Sequence, residues 1–163
     1  MNSAWHGNED IMAEKVDYGT LKKGGFMRQK QKNNFSLRLA VVGGYLTAEN
    51  LTKIAEVAEK YGDGHASVYG LFILLICLFT GIIKLKDIDA VKEELAEGGC
   101  RPGVCGPRVR TVTACQGNTI CPSGNIDSYD IAVKLDERYF GRELPHKFKF
   151  GVTGCQNNCL KAE

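Results

Sequence analysis

Residues 35–64 read FSLRLAVVGGYLTAENLTKIAEVAEKYGDG, and a change of period inside this stretch decides the fold. Phe35, Leu37, Leu39 and Val41 alternate with Ser36, Arg38 and Ala40, the period of a strand with one buried face. Gly43 and Gly44 end that pattern. Thr47 then stands where a helix cap belongs. Leu51, Ile54, Ala55 and Ala58 follow at i, i+3, i+4 and i+7, and Gly62 lies just past the last turn.

Toward the C-terminus a second amphipathic helix is predicted, with Asp87 as cap, Ile88, Val91 and Leu95 as the apolar stripe and Gly98-Gly99 as stop. Strand, helix, extended segment and helix make one half of an α+β sandwich, with a boundary near Gly98–Gly106. Beyond it, Val109–Thr113 reads as a strand running into an irregular loop, Asp127–Phe140 as a helix, and Phe148, Phe150 and Val152, alternating with Lys147, Lys149 and Gly151, as a further strand. Residues 1–34 are polar and without sustained period, so they read as an N-terminal arm. Met12 offers a second plausible start, which would make Met1–Ile11 an extension without structural meaning. The predicted organisation is an arm over 1–34, a first unit over 35–99 and a second over 100–163.

One segment does not fit this scheme. Residues 66–83, ASVYGLFILLICLFTGII, carry no charge between His65 and Lys84, and eighteen residues reach the lower edge of a membrane span. β-branched and aromatic residues are frequent there and Gly70, Thr80 and Gly81 interrupt it, so buried strands are expected in preference to a membrane helix.

Length and composition restrict the remaining classes. With 163 residues, 44% hydrophobic and 25% charged, the chain is neither a disordered, a collagen-like nor a multi-pass membrane sequence. The net charge of +2 divides into +3, −4 and +3 over residues 1–38, 39–100 and 101–163. That is too weak a basic excess for a nucleic-acid binder, though local cations facing a small anion remain compatible with it. No basic segment followed by an apolar one opens the chain, so a reducing, cytoplasmic setting is expected, where clustered cysteines indicate metal or redox chemistry before disulfides.

Four of the seven cysteines fall in two pairs, Cys115-Gln-Gly-Asn-Thr-Ile-Cys121 and Cys155-Gln-Asn-Asn-Cys159. Four thiolates so placed can complete the ligand set of a [4Fe–4S] cluster. Zinc is the competing metal, disfavoured by the five-residue gap, since structural zinc pairs usually stand two to four residues apart. The surrounding Gly, Asn and Gln residues leave room for an inorganic cluster. Cys100 and Cys105 read as ordinary thiols and Cys77 as core.

The stretch from Gly103 to Glu163, with GPRVRTVTACQGNTICPSGN, PHKFKF and GVTGCQNNC, resembles the sulfite and nitrite reductases that couple siroheme to a [4Fe–4S] cluster, notably short single-half members and dissimilatory-type subunits. The stretch 35–64 resembles their ferredoxin-like half-domain. The resemblance implies an α+β fold in which a ferredoxin-like half-domain precedes the start of an α/β siroheme- and cluster-binding domain. It also implies an oxidoreductase passing electrons through the cluster to sulfite or nitrite on siroheme. Cys115, Cys121, Cys155 and Cys159 would hold the cluster, with Cys159 bridging to the siroheme iron. Arg110, with Arg108 as the weaker candidate, would bind siroheme carboxylates. Lys147 and Lys149, placed by their alternation on one face of a strand, would supply charge and protons to the oxyanion. An electron-donor protein or domain and a second copy or homologous subunit are the implied partners. A cluster-only electron-transfer module and a zinc-stabilised interaction domain are the alternatives from other classes.

Two departures from that family stand out. Where its members carry a polar segment with an anion-pocket arginine, this chain has the apolar run 66–83, and the match resumes at Ile83-Lys84-Leu85-Lys86-Asp87, as for a shifted reading frame or a replaced segment. The chain also stops four residues after Cys159, which implies an incomplete siroheme pocket and impaired activity on its own.

Overall fold

A computed structural model describes residues 16–69 and 77–161. The possible start at Met12, the arm residues before it and the middle of the apolar run, 70–76, lie outside the described residues. From α1 (Tyr18–Lys23) the chain enters β1 (Phe26–Arg28), β2 (Asn34–Ala40), α2 (Ala48–Tyr61), β3 (Ala66–Tyr69), β4 (Cys77–Lys84), α3 (Ile88–Glu97) and β5 (Arg101–Pro102). The order β2-α2-β3-β4-α3-β5 is the ferredoxin-like double βαβ arrangement. The pairing agrees: β2 lies between β4 and β5, β4 also pairs with β3, and all of these contacts are antiparallel.

Each element follows from its residues. β2 alternates as predicted, burying Phe35, Leu37 and Leu39. Thr47 caps α2 through a reciprocal box with Asn50: the Asn50 N–H donates to Thr47 Oγ1 at 3.1 Å, and the Thr47 N–H donates to Asn50 Oδ1 at 3.1 Å. The buried stripe of α2 differs from the predicted one. Ile54, Val57 and Ala58 face the sheet, while Leu51 is half exposed and Ala55 is exposed. In α3 the predicted Ile88, Val91 and Leu95 are all buried, but Asp87 makes no side-chain cap. These residues close one core with Phe26, Ile83 and Cys100.

One expectation is corrected. Residues 17–34 are not an arm: β1 pairs antiparallel with β2, Phe26 is buried in the core, and the Tyr18 ring stacks on Phe35 at 6.2 Å. A strand of three residues is too short to show a period, which hid it. The apolar run is strand where it is described, with Ala66–Tyr69 pairing against Cys77–Thr80, and no described helix is long and apolar enough to cross a membrane.

The second unit holds β6 (Thr113–Ala114), α4 (Ser128–Tyr139) and β7 (Gly151–Val152), with Val112, Ala132 and Val152 as its small core. β6 and β7 run parallel, and spaced hydrogen bonds extend the alignment. Phe148 N–H donates to Arg108 O at 3.1 Å, and Arg110, Thr113 and Cys115 N–H groups donate to Phe148, Phe150 and Val152 carbonyls at 2.9, 3.2 and 3.0 Å. The spacing slips by one residue between Arg110 and Thr113. Val112 is thereby pushed out of the ladder, its N–H donating to the Asp136 carboxylate at 3.1 Å and its carbonyl accepting from Gly43 N–H at 2.9 Å.

Asp136 is 1% exposed and also takes the Arg101 guanidinium, which lies 4.1 Å from the Phe140 ring. Arg101 belongs to β5 of the first sheet, so this one carboxylate ties the two units together. Asp136→Ala is expected to lower the unfolding free energy by about 2–4 kcal/mol, mostly from the orphaned buried Val112 N–H, since half-exposed Arg101 contributes little. Asp136→Asn keeps an acceptor for that N–H and is expected to lose distinctly less; urea denaturation of both variants checks the difference.

Candidate functional site

The parallel ladder ends where the two cysteine pairs begin. Cys115 follows β6 directly, and its backbone N–H bonds Val152 at the end of β7, so the second pair starts beside the first. A 3-10 turn over Gly117–Thr119 brings the chain back, with Cys121 N–H donating to Gly117 O at 2.9 Å. Asn125 N–H then reaches Gly154 O at 2.9 Å, lacing the loop of the first pair to the loop of the second. Cys155–Asn158 forms a turn of its own, closed by Asn158 N–H on Cys155 O at 3.3 Å. Cys115, Cys121 and Cys155 are half-buried and Cys159 is exposed.

Glycine is required in this corner. A Cβ on Gly154 would lie 2.8 Å from Ser128 Oγ and 3.3 Å from Cys115 Sγ. Gly117 has φ +63°, and a Cβ there would stand 2.7 Å from the Ser128 nitrogen. Close backbone approach turns N–H groups onto sulfur: Gly154 N–H donates to Cys115 Sγ at 3.0 Å, and Ser128 Oγ lies 3.4 Å from the same sulfur. Burial opposes ionisation of Cys115, but the bonds from Ser128, Gly117 and Gly154 outweigh it and hold this thiol below the ordinary range. A half-buried thiol with N–H and O–H donors aimed at it, as Cys115 has, suits an iron–sulfur cluster, which takes one thiolate per iron. Among the described residues no three Cys, His, Asp or Glu side chains converge around the space of a single metal ion.

The other two described thiols belong elsewhere. Cys100 sits in the first core, where burial raises its pKa, and Cys105 is 2% exposed and accepts a bond from Arg38 Nη1 at 3.0 Å.

The predicted cations lie along the same ladder. Arg110 folds back onto the carbonyls of Val104 and Gly106, and its buried Nε has no hydrogen-bond partner. A guanidinium with N–H donors still unused, the buried Nε among them, fits a carboxylate-bearing cofactor such as siroheme. Arg108 fits less directly, because its guanidinium pairs with Glu143, whose carboxyl it holds below the usual range. Lys147 is exposed and Lys149 half-buried. They flank Phe148, whose ring meets Phe150 edge-on at 4.9 Å. The segment is an isolated bridge to Val109, and the named strand begins only at Gly151. Sequence reasoning missed Ser128, a serine one place after a capping aspartate, and Asp136, an acid inside the charged run LDERY.

This fold and cysteine corner join a ferredoxin-like half to a unit that carries the paired cysteines. Residues 27–68 match the family described as "Nitrite/Sulfite reductase ferredoxin-like half domain" and residues 105–163 the family described as "Nitrite and sulphite reductase 4Fe-4S domain". The chain belongs to the nitrite and sulfite reductase family. It is 34% identical over 147 residues to a nitrite reductase [NAD(P)H] of Emericella nidulans, covering 85% of this chain and 12% of that protein. It is 28% identical to the coenzyme F420-dependent sulfite reductase of Methanocaldococcus jannaschii, covering 90% of this chain and 23% of that protein. The chain thus spans less than a quarter of either relative. Among solved structures it superposes on dissimilatory sulfite reductase I with a TM-score of 0.68 at 25% identity, covering 78% of this chain and 30% of the other. On the NirA protein of Mycobacterium tuberculosis the TM-score is 0.73 at 18% identity, over 90% of this chain and 32% of the other, which bears on the fold alone. The half-domain match ends at residue 68, inside the apolar run.

Gly154→Ala is expected to cut iron and sulfide uptake several-fold while leaving the far-UV circular dichroism unchanged, checked by iron and sulfide analysis after anaerobic reconstitution. In the iron-free chain, mass-mapped alkylation by iodoacetamide is expected to reach half its maximal rate at a lower pH for Cys115 than for an ordinary thiol. For Cys100 the half-maximal pH is expected to be higher.

Proposed function

We propose that this chain supplies the cluster-binding corner and part of the siroheme site of a sulfite or nitrite reductase. The observation that carries the reading is the parallel β6–β7 alignment, which sets Cys115 against the Gly154-Cys155 turn and aims a backbone N–H at its sulfur. Cys115, Cys121, Cys155 and Cys159 hold a [4Fe–4S] cluster, and Cys159, the exposed member, also serves the siroheme iron. Arg110, with Arg108 beside it, binds siroheme carboxylates, and Lys147 and Lys149 offer charge and protons to the oxyanion. When bound, the cluster and siroheme supply the electron transfer and multi-electron reduction, while the protein orients, neutralises and protonates. The reading includes an electron-donor protein or domain and a second copy or homologous subunit as partners, and a reducing, cytoplasmic setting in which the thiolates stay unoxidised.

Anaerobic reconstitution with iron, sulfide and siroheme, followed by absorption spectroscopy, tests this. The expected result is a broad cluster shoulder together with siroheme bands, both lost in Cys155→Ala. A shoulder without siroheme bands reduces the function to electron transfer alone, and a colourless protein overturns the reading.

A further inference from the structure

Ser128 is the first residue of α4 and is 0% exposed. Serine at a helix start usually serves as a cap, but Asp127 already fills that role, accepting the Asp130 N–H at 3.0 Å. Among the described residues the Ser128 hydroxyl has one hydrogen-bonding neighbour, Cys115 Sγ at 3.4 Å. Gly117 and Gly154 crowd that oxygen so closely that a Cβ on either would come within 2.9 and 2.8 Å of it. A buried hydroxyl whose surroundings are kept this tight, and whose partner is a sulfur, is held for that contact. Either atom can donate while Cys115 is a thiol. A ligating thiolate carries no proton, so the hydroxyl then becomes the donor.

We propose that Ser128 is a positioning residue that sets the reduction potential of the cluster through an O–H···S bond to Cys115. The proposal rests on the reading that Cys115 is a cluster ligand. One-electron reduction, by dithionite in the test below, leaves the added electron on the iron–sulfur unit and breaks no bond. It raises the electron density on the ligand sulfurs, so a donor to one of them stabilises the reduced form more than the oxidised form. Hydrogen bonds to the sulfurs are among the factors that place such potentials. The Gly154 N–H reaches the same sulfur from the backbone and is present whatever side chain stands at 128. Ser128 is therefore the part of this pair that substitution can remove.

The test is an electron-paramagnetic-resonance redox titration of the reconstituted chain and of Ser128→Ala, with iron and sulfide counted in both. Alanine adds no atoms and leaves the Asp127 cap intact. The expected result is a lower midpoint potential in the variant at unchanged cluster content. As a second measurement, the iron–thiolate stretch in the resonance Raman spectrum of the unmodified chain is expected to shift in D2O, and to shift less in the variant. An unchanged midpoint and an unchanged isotope shift overturn the proposal, as does lower cluster content at an unchanged midpoint, which makes Ser128 merely structural. Failure of the unmodified chain to take up any cluster overturns the functional reading itself, and is distinguished because no signal arises in either protein.

Discussion

The Asp136 carboxylate is the constraint on which the rest of the structure depends. It is fully enclosed, and it takes two donors of different origin: the Val112 N–H, displaced from the ladder by a one-residue slip, and the guanidinium of Arg101 from the edge of the first sheet. A buried carboxylate without partners is costly, and these two donors supply its partners, the enclosed Val112 N–H the greater share. The slip at Val112 lets the strand resume at Thr113 in register with Gly151, and that register puts Cys115 opposite the second cysteine pair. A bulge, an interdomain tie and the placement of a ligand thus share one side chain.

The corner that follows is built by subtraction. A side chain at Gly154 would press on Gly117, Ser128 and Cys115 and hold the two cysteine loops apart, while side chains at Gly117 and Gly124 would crowd the first loop and the start of α4. What remains between the loops is backbone, which brings N–H dipoles onto sulfur without desolvating a charge. The cations stand one step back along the same ladder, at Arg108 and Arg110 and at Lys147 and Lys149.

Much of this was legible in the residues, and the omissions have physical reasons. The alternation of Phe35–Leu39 and the 3.6-residue stripe of Ile88, Val91 and Leu95 are strong local periods, and both survive intact in the fold. In α2 two overlapping stripes satisfy the same template: Leu51, Ile54, Ala55 and Ala58, or Ile54, Val57, Ala58 and Tyr61. Only the direction of approach of the sheet chooses the second. β1 buries a single large residue, Phe26, and one residue has no period. Asp136 has its partners 24 and 35 residues away, so nothing nearby in the chain marks it. The cysteine spacing signalled metal chemistry, whereas the hydroxyl of Ser128 acquires its meaning only when Gly154 is folded against it.

The parallel alignment of β6 with β7 carries a consequence for how the protein is made. Every strand of the first sheet has its partner by Pro102, so that unit can close while later residues are still being synthesised. β6 has no neighbour until Gly151 and Val152 emerge, and the second cysteine pair comes later still. During synthesis Cys115 and Cys121 therefore wait, unshielded by Gly154, through the production of the whole of α4. The interval between the two pairs is the period in which the nascent chain is most open to oxidation or to the wrong metal, and oxygen exposure during translation becomes a variable of its yield.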